Sequence, residues 1–585
     1  MLRTASIYVV GAWLLMQVAD IVFPALEIPD SAMRNLLYAL TAGFPLALIA
    51  GWYFDITKNG IRLTRSTDKE LPPLILEDYA MLAVVVFVSG LIAFTLWPEP
   101  ESDISIPGAV AIMPFEDLDD SGAIGTSLSG EIVNALKRVP GIWVPGLDSS
   151  THYEGSDPSA VGSALGVGAV LRGSVRRVAE NIEITADFHG AKRSKRIWSL
   201  TLIVAPGELL EAQQEIVDAV IAEIAPSATE RAATSSGTKQ EACAPIYDVY
   251  LRARQIATTP GRRAFEIRAR AVKLLQEATR DAPDCALAWS GLAHAHFNMA
   301  PQFRGAERFE QGLVPAGAAA RRALELDGTL AQAWIVLAEI AEQDSRFIDA
   351  ESHFLKALFA EPTNALANAM YAEALLARGR VQDGMHYALE AYRNDPASRD
   401  VAGKVAMAAR MAGDGDLAVE FGQIFRDLSQ QAVYDGFLDI ARGHMLNGDI
   451  DSALEEYRAH SDRTSDWFLE CVEAQRDSSM LPSIRQRLKA AVTVESDVGY
   501  NAWWIIVCGT WLDEADLVLD FVFGNDPDQH ITEAYYFLFF FTEADALRQH
   551  PRFRQFVEEK GLLEYWHTVG WSDYCEPDGD SFRCR

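Results

Sequence analysis

Three long apolar runs dominate the first hundred residues. They cover residues 7–26, 35–54 and 80–97, and each has about the 18–20 residues that crossing a hydrocarbon core requires. The first run lacks a small-x-small cleavage site and is followed at once by the second, which argues against a cleaved signal peptide. The pattern therefore predicts three transmembrane α-helices that form a membrane anchor over residues 1–98.

The charges of the connecting loops predict how these helices would be oriented. Lys58, Arg62, Arg65 and Lys69 lie between the second and third runs, whereas the stretch after the third run begins Pro-Glu-Pro-Glu and has no Lys or Arg nearby. Basic loops stay on the cytoplasmic side of a membrane. The N-terminus is therefore expected in the cytoplasm, and everything after about residue 98 on the opposite side.

After a Pro-rich stretch, residues 106–226 alternate short apolar runs with helical periods. Apolar residues recur at helical spacing around Leu128, Ile132 and Leu136, and a turn signal at Asp157-Pro158 can start a second helix. Runs with strand composition lie at residues 109–113, 142–144, 169–178, 182–188 and 197–204, and a last helix is expected over 206–224. The order β-α-β-α-β-β-β-α predicts a small α/β domain.

Residues 245–570 carry the pattern of a tetratricopeptide-type solenoid, in which a unit of about 34 residues forms two antiparallel helices. In residues 331–364, Trp334 lies on the first helix, Ala350 and Ala357 lie on the second, and Pro362 ends it. The next unit keeps this phase, because Pro396 follows Pro362 by 34 residues. An all-α repeat domain is predicted, preceded by a linker at 227–244 and followed by a tail at 571–585.

Such repeats present an inner face that is built from the first helix of each unit. The helical phase assigns a mixed, mildly acidic set of side chains to this face, which suits a neutral or basic peptide or protein segment. These candidate partner-binding residues are Ser290, His294, Phe297, Asn298, Gln332, Ile335, Glu339, Glu342, Gln343 and Glu373.

Several motifs resemble one known family. The strand 110–115 (VAIMPF), the helix segment 131–136 (EIVNAL), and Gly173–Arg177 followed by Ile197-Trp198-Ser199 are similar to the TolB-like (FlgO-like) domain, which precedes tetratricopeptide repeats in bacterial membrane proteins. The apolar N-terminal segment and the C-terminal run Pro551-Arg552-Phe553 resemble the same proteins. The resemblance implies an inner-membrane protein whose body, after about residue 98, lies in the periplasm.

Many proteins of this kind carry a cytoplasmic module such as a nucleotide cyclase or a winged-helix domain. Only a few residues precede the first apolar run here, so no such module is expected.

The net charge of the chain limits the classes of partner that it is expected to bind. The formal net charge is −31, and residues 1–75 hold six basic and six acidic side chains, so the whole excess of acid falls on residues 76–585. Nucleic-acid binding requires a basic footprint. The chain is therefore not expected to bind nucleic acid, and protein or peptide partners in the cell envelope are favoured.

No motif indicates catalysis. The chain has no GxxxxGK[ST] and no HExxH sequence, and no catalytic, cofactor-binding or metal-binding residues are predicted. A disulfide is expected between Cys575 and Cys584, because Pro577-Asp578-Gly579 between them can reverse the chain. The pairing of the other four cysteines (Cys243, Cys285, Cys471 and Cys508) is left open.

These patterns lead to one main functional hypothesis and two alternatives. The main hypothesis is a non-enzymatic, membrane-anchored periplasmic scaffold or sensor that binds protein partners through its α/β domain and its repeats. The first alternative is a receptor that relays a periplasmic signal to a separate cytoplasmic protein. The second is a component related to membrane nucleotide cyclases that lacks the cyclase domain.

Overall fold

The computed structural model divides the chain into two compact units, residues 1–103 and residues 104–585. It describes residues 8, 10–19, 40, 54–57, 60–63, 108–119, 124–225, 241–258, 264–300, 308–429, 436–460, 466–494, 500–524, 539–579 and 581–585. In the first unit, residues 10–19 are helical, and β1 (Phe54–Thr57) pairs with β2 (Gly60–Leu63) in an antiparallel hairpin.

The expectation of three N-terminal transmembrane helices is wrong. Within the described residues, no helix combines the length and the apolar character that crossing a membrane demands. In the first predicted range the structure describes residue 8 and residues 10–19, which are helical, and β1 begins at Phe54, where the second predicted span was to end. The third range, 80–97, lies outside the described residues. An apolar run supplies hydropathy, but hydropathy alone does not produce a continuous helix of spanning length.

The predicted location in the inner membrane is wrong as well. An inner-membrane protein with a cytoplasmic N-terminus and a periplasmic body was inferred from three crossings, and the described chain contains no helix able to make one.

The second unit begins with a mixed sheet that is flanked by helices. Its strands lie in the order β3-β5-β6-β7, with β3 parallel to β5, the other neighbours antiparallel, and the short β4 also parallel to β5. The elements are β3 (Val110–Ile112), β4 (Glu116–Asp117), α1 (Gly125–Lys137), α2 (Leu147–His152), α3 (Pro158–Leu165), β5 (Ala169–Val178), β6 (Asn181–Gly190), β7 (Lys195–Val204) and α4 (Leu209–Ile224).

Apolar residues at helical spacing fix α1 to this sheet. Leu128, Ile132 and Leu136 are fully buried against the sheet, and α4 packs into the same core. The other sheet face is partly covered by α3 through Val161 and Leu165. The strand expected at 142–144 is reduced to a single bridge between Trp143 and Ala109, because Pro145-Gly146 turns the chain into α2, a helix that the sequence pattern did not predict.

Sixteen helices then follow in the described residues, and they pair antiparallel in chain order. Ala338, Ala350 and Ala357 are fully buried where the helices meet, and Ala391 is fully buried one 34-residue period after Ala357. The helices are α5 (Tyr247–Thr258), α6 (Ala264–Asp281), α7 (Ala286–Met299), α8 (Val314–Leu326), α9 (Ala331–Gln343), α10 (Phe347–Ala360), α11 (Ala365–Ala377), α12 (Val381–Asn394), α13 (Arg399–Ala412), α14 (Gly415–Leu428), α15 (Phe437–Leu446), α16 (Ile450–Ala459), α17 (Asp466–Glu473), α18 (Leu481–Val494), α19 (Tyr500–Trp511) and α20 (Ala515–Gly524). This is a tetratricopeptide-type helical repeat.

The C-terminal segment packs back onto the middle of the repeats. It consists of α21 (Asp545–Gln549), α22 (Pro551–Glu559), α23 (Leu562–Thr568) and a hairpin of β8 (Cys575–Asp578) and β9 (Ser581–Cys584). The indole Nε1 of Trp566 donates to the carbonyl of Arg378 at 2.9 Å, and both side chains are almost fully buried. Disulfides join Cys243 to Cys285, Cys471 to Cys508 and Cys575 to Cys584.

Candidate protein-binding face of the helical repeats

The first helices of the pairs form one continuous layer, which we call the inner face. Neighbouring first helices along the array contact each other directly from α5 through α15. In a tetratricopeptide-type repeat this layer is the surface on which bound segments lie.

One helix of the α/β part lies on the inner face. Glu131 of α1 accepts a hydrogen bond from the hydroxyl of Tyr250 at 2.8 Å and pairs with Arg254, both on α5. Ser127, one turn earlier, donates to the amide oxygen of Gln255 at 3.1 Å. These polar residues lie on a different side of α1 from its apolar stripe, so α1 contacts both the sheet core and the repeats.

A second set of contacts, which we call the seam, joins the first turn of α2 and Gly146 before it to the turn between α12 and α13. The backbone N–H of Ser149 donates to Asp395 at 2.9 Å, and the Ser149 hydroxyl donates to the same carboxylate. The N–H of Gly146 donates to the carbonyl of Asn394 at 2.8 Å, and the hydroxyl of Ser398 donates to Asp148 at 3.1 Å. Burial raises the pKa of Asp395 to about 6, an effect that the bonds from Ser149 oppose.

Between α1 and the inner face lies a cavity of about 360 Å³, which we call the junction cavity. Three of the predicted partner-binding residues line it: Ser290, His294 and Gln332. The ring of His294 lies 3.1 Å from the Gln332 amide and 2.9 Å from that of Asn298. Burial, together with the nearby Arg254 and Arg268, lowers the pKa of His294 to about 4, so the ring is neutral near pH 7.

Other predicted residues of this face serve contacts within the repeats. Ile335 is 4% exposed and packs with Ala357, and Phe297 packs against the main core. Glu342 pairs with the buried Arg378, and Glu373 pairs with Lys404. Glu339 and Gln343 are half-buried on α9. The structure thus brings only part of the predicted set together.

Farther along the inner face lies a second cavity of about 480 Å³, which we call the repeat groove. Its floor is apolar, and its polar lining has four carboxylates against two cations. Arg410 pairs with Asp439 at 3.3 Å, and burial raises the pKa of that aspartate. The groove is lined by Asp148, Ala365, Leu366, Ala369, Met370, Asp395, Ser398, Asp400, Val401, Gly403, Lys404, Met407, Arg410, Phe425 and Asp439.

The sequence reasoning missed the residues through which the α/β part meets the repeats. The polar face of α1 was visible as Ser127, Glu131, Asn134 and Arg138 at steps of four, three and four residues, which is one stripe of a helix. No comparable signal marks Asp395, because a carboxylate in a turn between helices is ordinarily solvated. Among the described residues, no group of three or more His, Cys, Asp or Glu side chains could hold a metal ion.

No family model matches the chain, so the resemblance to the TolB-like family is not supported. The chain is 28% identical over 166 residues to a protein of Rhizobium meliloti (strain 1021) described as putative adenylate cyclase 3; the match covers 27% of this chain and 28% of that protein. The chain thus spans little more than a quarter of the length of this relative.

Among solved structures, the chain is similar to helical-repeat proteins. The tetratricopeptide protein YrrB, described as having an unusual peptide-binding site, matches 32% of this chain and 90% of its own at 18% identity and a TM-score of 0.26. The type IV pilus biogenesis factor PilW matches 35% and 96% at 21% identity and a TM-score of 0.29. Human IFIT1, solved as a dimer with m7Gppp-AAAA, matches 61% and 84% at 12% identity and a TM-score of 0.33. The repeat assignment rests on the helix pairs described above.

Proposed function

We propose that this chain is a non-enzymatic scaffold that binds an extended segment of a protein partner in the repeat groove. The observation that carries the proposal is the groove itself: an apolar floor on the inner face of a helical repeat, bordered by carboxylates. Leu366, Met370 and Phe425 supply apolar surface, and Leu366 is 40% exposed. Apolar side chains that reach solvent in a concavity, together with polar groups that fix the orientation of a ligand, are typical of binding sites.

The charge of the groove indicates the chemistry of the segment. Four carboxylates line it, and its two cations, Lys404 and Arg410, are paired with Glu373 and Asp439. A bound segment with at least one Lys or Arg beside apolar residues would complement this lining, whereas an acidic segment would be repelled.

A peptide selection tests the proposal. The full chain is immobilised and used to enrich peptides from a randomised display library, and enriched peptides are labelled and titrated by fluorescence anisotropy. We expect them to combine apolar residues with Lys or Arg. Met370→Lys places a cation in the groove floor and should weaken binding by about tenfold or more.

Met385 offers a matched control. It is also half-buried but lies on α12, away from the groove lining, so Met385→Lys should leave the affinity within about twofold. Thermal melts of both variants report any loss of fold. A selection that enriches nothing, or peptides that bind the Met370→Lys chain as tightly as the parent, would remove the groove as a binding site.

A second candidate function is a component related to nucleotide cyclases, favoured by the 28% identity over 166 residues to the Rhizobium meliloti protein. Incubation of the purified chain with ATP and Mg²⁺, followed by measurement of cyclic AMP, tests whether it is itself a catalyst. Product formation that a single substitution abolishes would replace the scaffold proposal by an enzymatic one.

A further inference from the structure

We infer that the inner face of the first repeats is a helix-binding surface on which α1 lies as an internal ligand. A partner helix with the same polar stripe would compete with α1 for it. The inference rests on the proposed scaffold function and adds a second site, the kind of partner that fits it, and the contact that controls access. The surface is formed by α5, α7 and α9 around the junction cavity.

The polar stripe of α1 defines the chemistry of that partner. Ser127, Glu131, Asn134 and Arg138 follow one another at helical spacing, and each either bonds to the repeats or lines the junction cavity. The matching helix presents a hydroxyl, a carboxylate one turn later, an amide, and a cation about three turns from the hydroxyl.

The repeats supply a complementary group for each charged position. Arg254 pairs with Glu131 at one end of the stripe. At the other end, Glu361 lies 3.8 Å from the Nε of Arg138. That Nε is buried and has no hydrogen-bond acceptor. The internal ligand therefore leaves one buried donor unsatisfied, which weakens its own binding to this surface.

The seam holds the α/β part to the repeats at a second place, away from the apolar core that α4 shares with α5. Besides the bonds from Ser149 to Asp395, the hydroxyl of Ser149 accepts the N–H of Ala397 at 2.8 Å. Gly146 lies so close to this carboxylate that an added Cβ would come within 1.8 Å of Asp395 Oδ2. The backbone of Gly146 is extended, at φ −59° and ψ 155°, so alanine fits the local conformation. The three heavy atoms nearest to its Cβ all belong to Asp395, across the seam.

Two glycines provide a variant that separates the seam and a matched control. Gly146→Ala should separate the seam without disturbing the α/β core. Gly207→Ala is the matched control, because nothing lies within 4 Å of a Cβ added there. Hydrogen–deuterium exchange at the amides of Ser149 and Ala397 reports whether the seam has opened.

The probe is a labelled peptide with the sequence of residues 125–140, stapled between positions 128 and 132. The staple lies on the apolar side of the helix. It is needed because a peptide of this length is only marginally helical in water. Its affinity for the full chain, the Gly146→Ala chain and the Gly207→Ala chain is measured by fluorescence anisotropy. A second peptide carries Glu131→Lys.

We expect faster exchange at the seam of the Gly146→Ala chain, and peptide binding about tenfold tighter than to the parent or the Gly207→Ala chain. The Glu131→Lys peptide should lose this binding. An open seam without peptide binding, or equal binding to all three chains, overturns the inference. The inference is also contradicted if amide exchange at the seam is unchanged in both Gly146→Ala and a second variant, Asp395→Arg. If the peptide selection for the repeat groove fails but the stapled peptide binds as expected, the proposed groove is rejected and the helix-binding surface is retained.

Discussion

Asp395 accepts two hydrogen bonds from Ser149, one from its backbone N–H and one from its hydroxyl, although 246 residues separate them along the chain. This pair joins the α/β part to the fourth and fifth helix pairs of the repeats. The Asp395 carboxylate is buried. The free-energy cost of burying its charge therefore opposes the stabilisation that its two hydrogen bonds provide.

Protonation of Asp395 should therefore stabilise the folded chain. Burial raises the folded pKa to about 6, above the value of about 3.9 in an unfolded chain. The folded state thus binds the extra proton between about pH 4 and pH 6, and this contribution to stability grows as the pH falls through that window. Above pH 6 the cost of the buried charge is fully present.

Asp395→Asn tests this sign. We expect the variant to melt at a higher temperature than the parent at pH 7.5, and the difference to shrink at pH 4.5, where the parent carries a neutral carboxyl. A difference that is the same at both values, or that grows at low pH, would contradict the raised pKa.

Reversal of Glu342 should damage the fold and not only the binding face. Its partner Arg378 is 1% exposed and lies 4.9 Å from the ring centres of Phe347 and of Tyr565. Glu342→Lys removes the ionic partner and adds a second cation, so a loss of about 3–5 kcal/mol in unfolding free energy is expected by chemical denaturation. The double variant Glu342→Met with Arg378→Met should recover much of the lost unfolding free energy. If it does not, the loss comes from altered packing and not from the unpaired charge.

The repeat phase can be tested at two residues of α10. Ala357 is fully buried between helices, so Ala357→Arg should overpack the crossing, bury a charge and lower the melting temperature sharply. Phe359, only two residues later, is 91% exposed, and Phe359→Arg should leave the melt unchanged. Similar melts for the two variants would mean that the assigned phase is wrong.

Trp334→Ala should cost less than the removal of a fully buried indole. Its ring is half-buried, its Nε1 donates to the carbonyl of Gly328 at 2.9 Å, and His353 stacks on it at 5.3 Å. We expect a loss of about 3 kcal/mol, at the low end of large aromatic truncations. Trp334→Phe keeps most of the packing and loses the hydrogen bond, so its difference from the parent measures the bond, and the further loss in Trp334→Ala measures the packing.

The disulfide between Cys575 and Cys584 should stabilise the C-terminal segment locally. The bridge closes a short loop, for which about 2–3 kcal/mol is the usual upper range. Arg554 also holds the hairpin, donating to the carbonyl of Phe582 at 3.0 Å. Cys575→Ser with Cys584→Ser should speed amide exchange in β9 and leave α5 unchanged. Peptide mapping without reductant should recover the linked pair, and quantitative alkylation of both thiols would reject it.

Periodicity predicted the parts of this fold that repeat. The 34-residue spacing from Ala357 to Ala391 reports a packing requirement at every helix crossing, so it could be detected without a structure. The same reasoning assigned Ser290, His294 and Gln332 to one face, and the structure brings these three together at the junction cavity.

Contacts between distant segments could not be predicted in this way. Whether Glu342 faces solvent or the buried Arg378 depends on a helix turn 36 residues away, and the partners of Glu131 lie on another part of the fold. The apolar N-terminal runs misled because hydropathy alone predicted three spans, whereas no helix of the described residues is long and apolar enough to cross a membrane.

The return of the C-terminal segment to Arg378 has a consequence for biosynthesis. The indole that covers this residue is incorporated 188 residues later. At about 5–20 residues per second, a ribosome needs roughly 10–40 s to add them. During that interval the middle helices of the nascent array have left the ribosome without their final covering. The array therefore cannot mature strictly from first repeat to last, and a chain that stops before Trp566 leaves its centre, and not merely its end, unfinished.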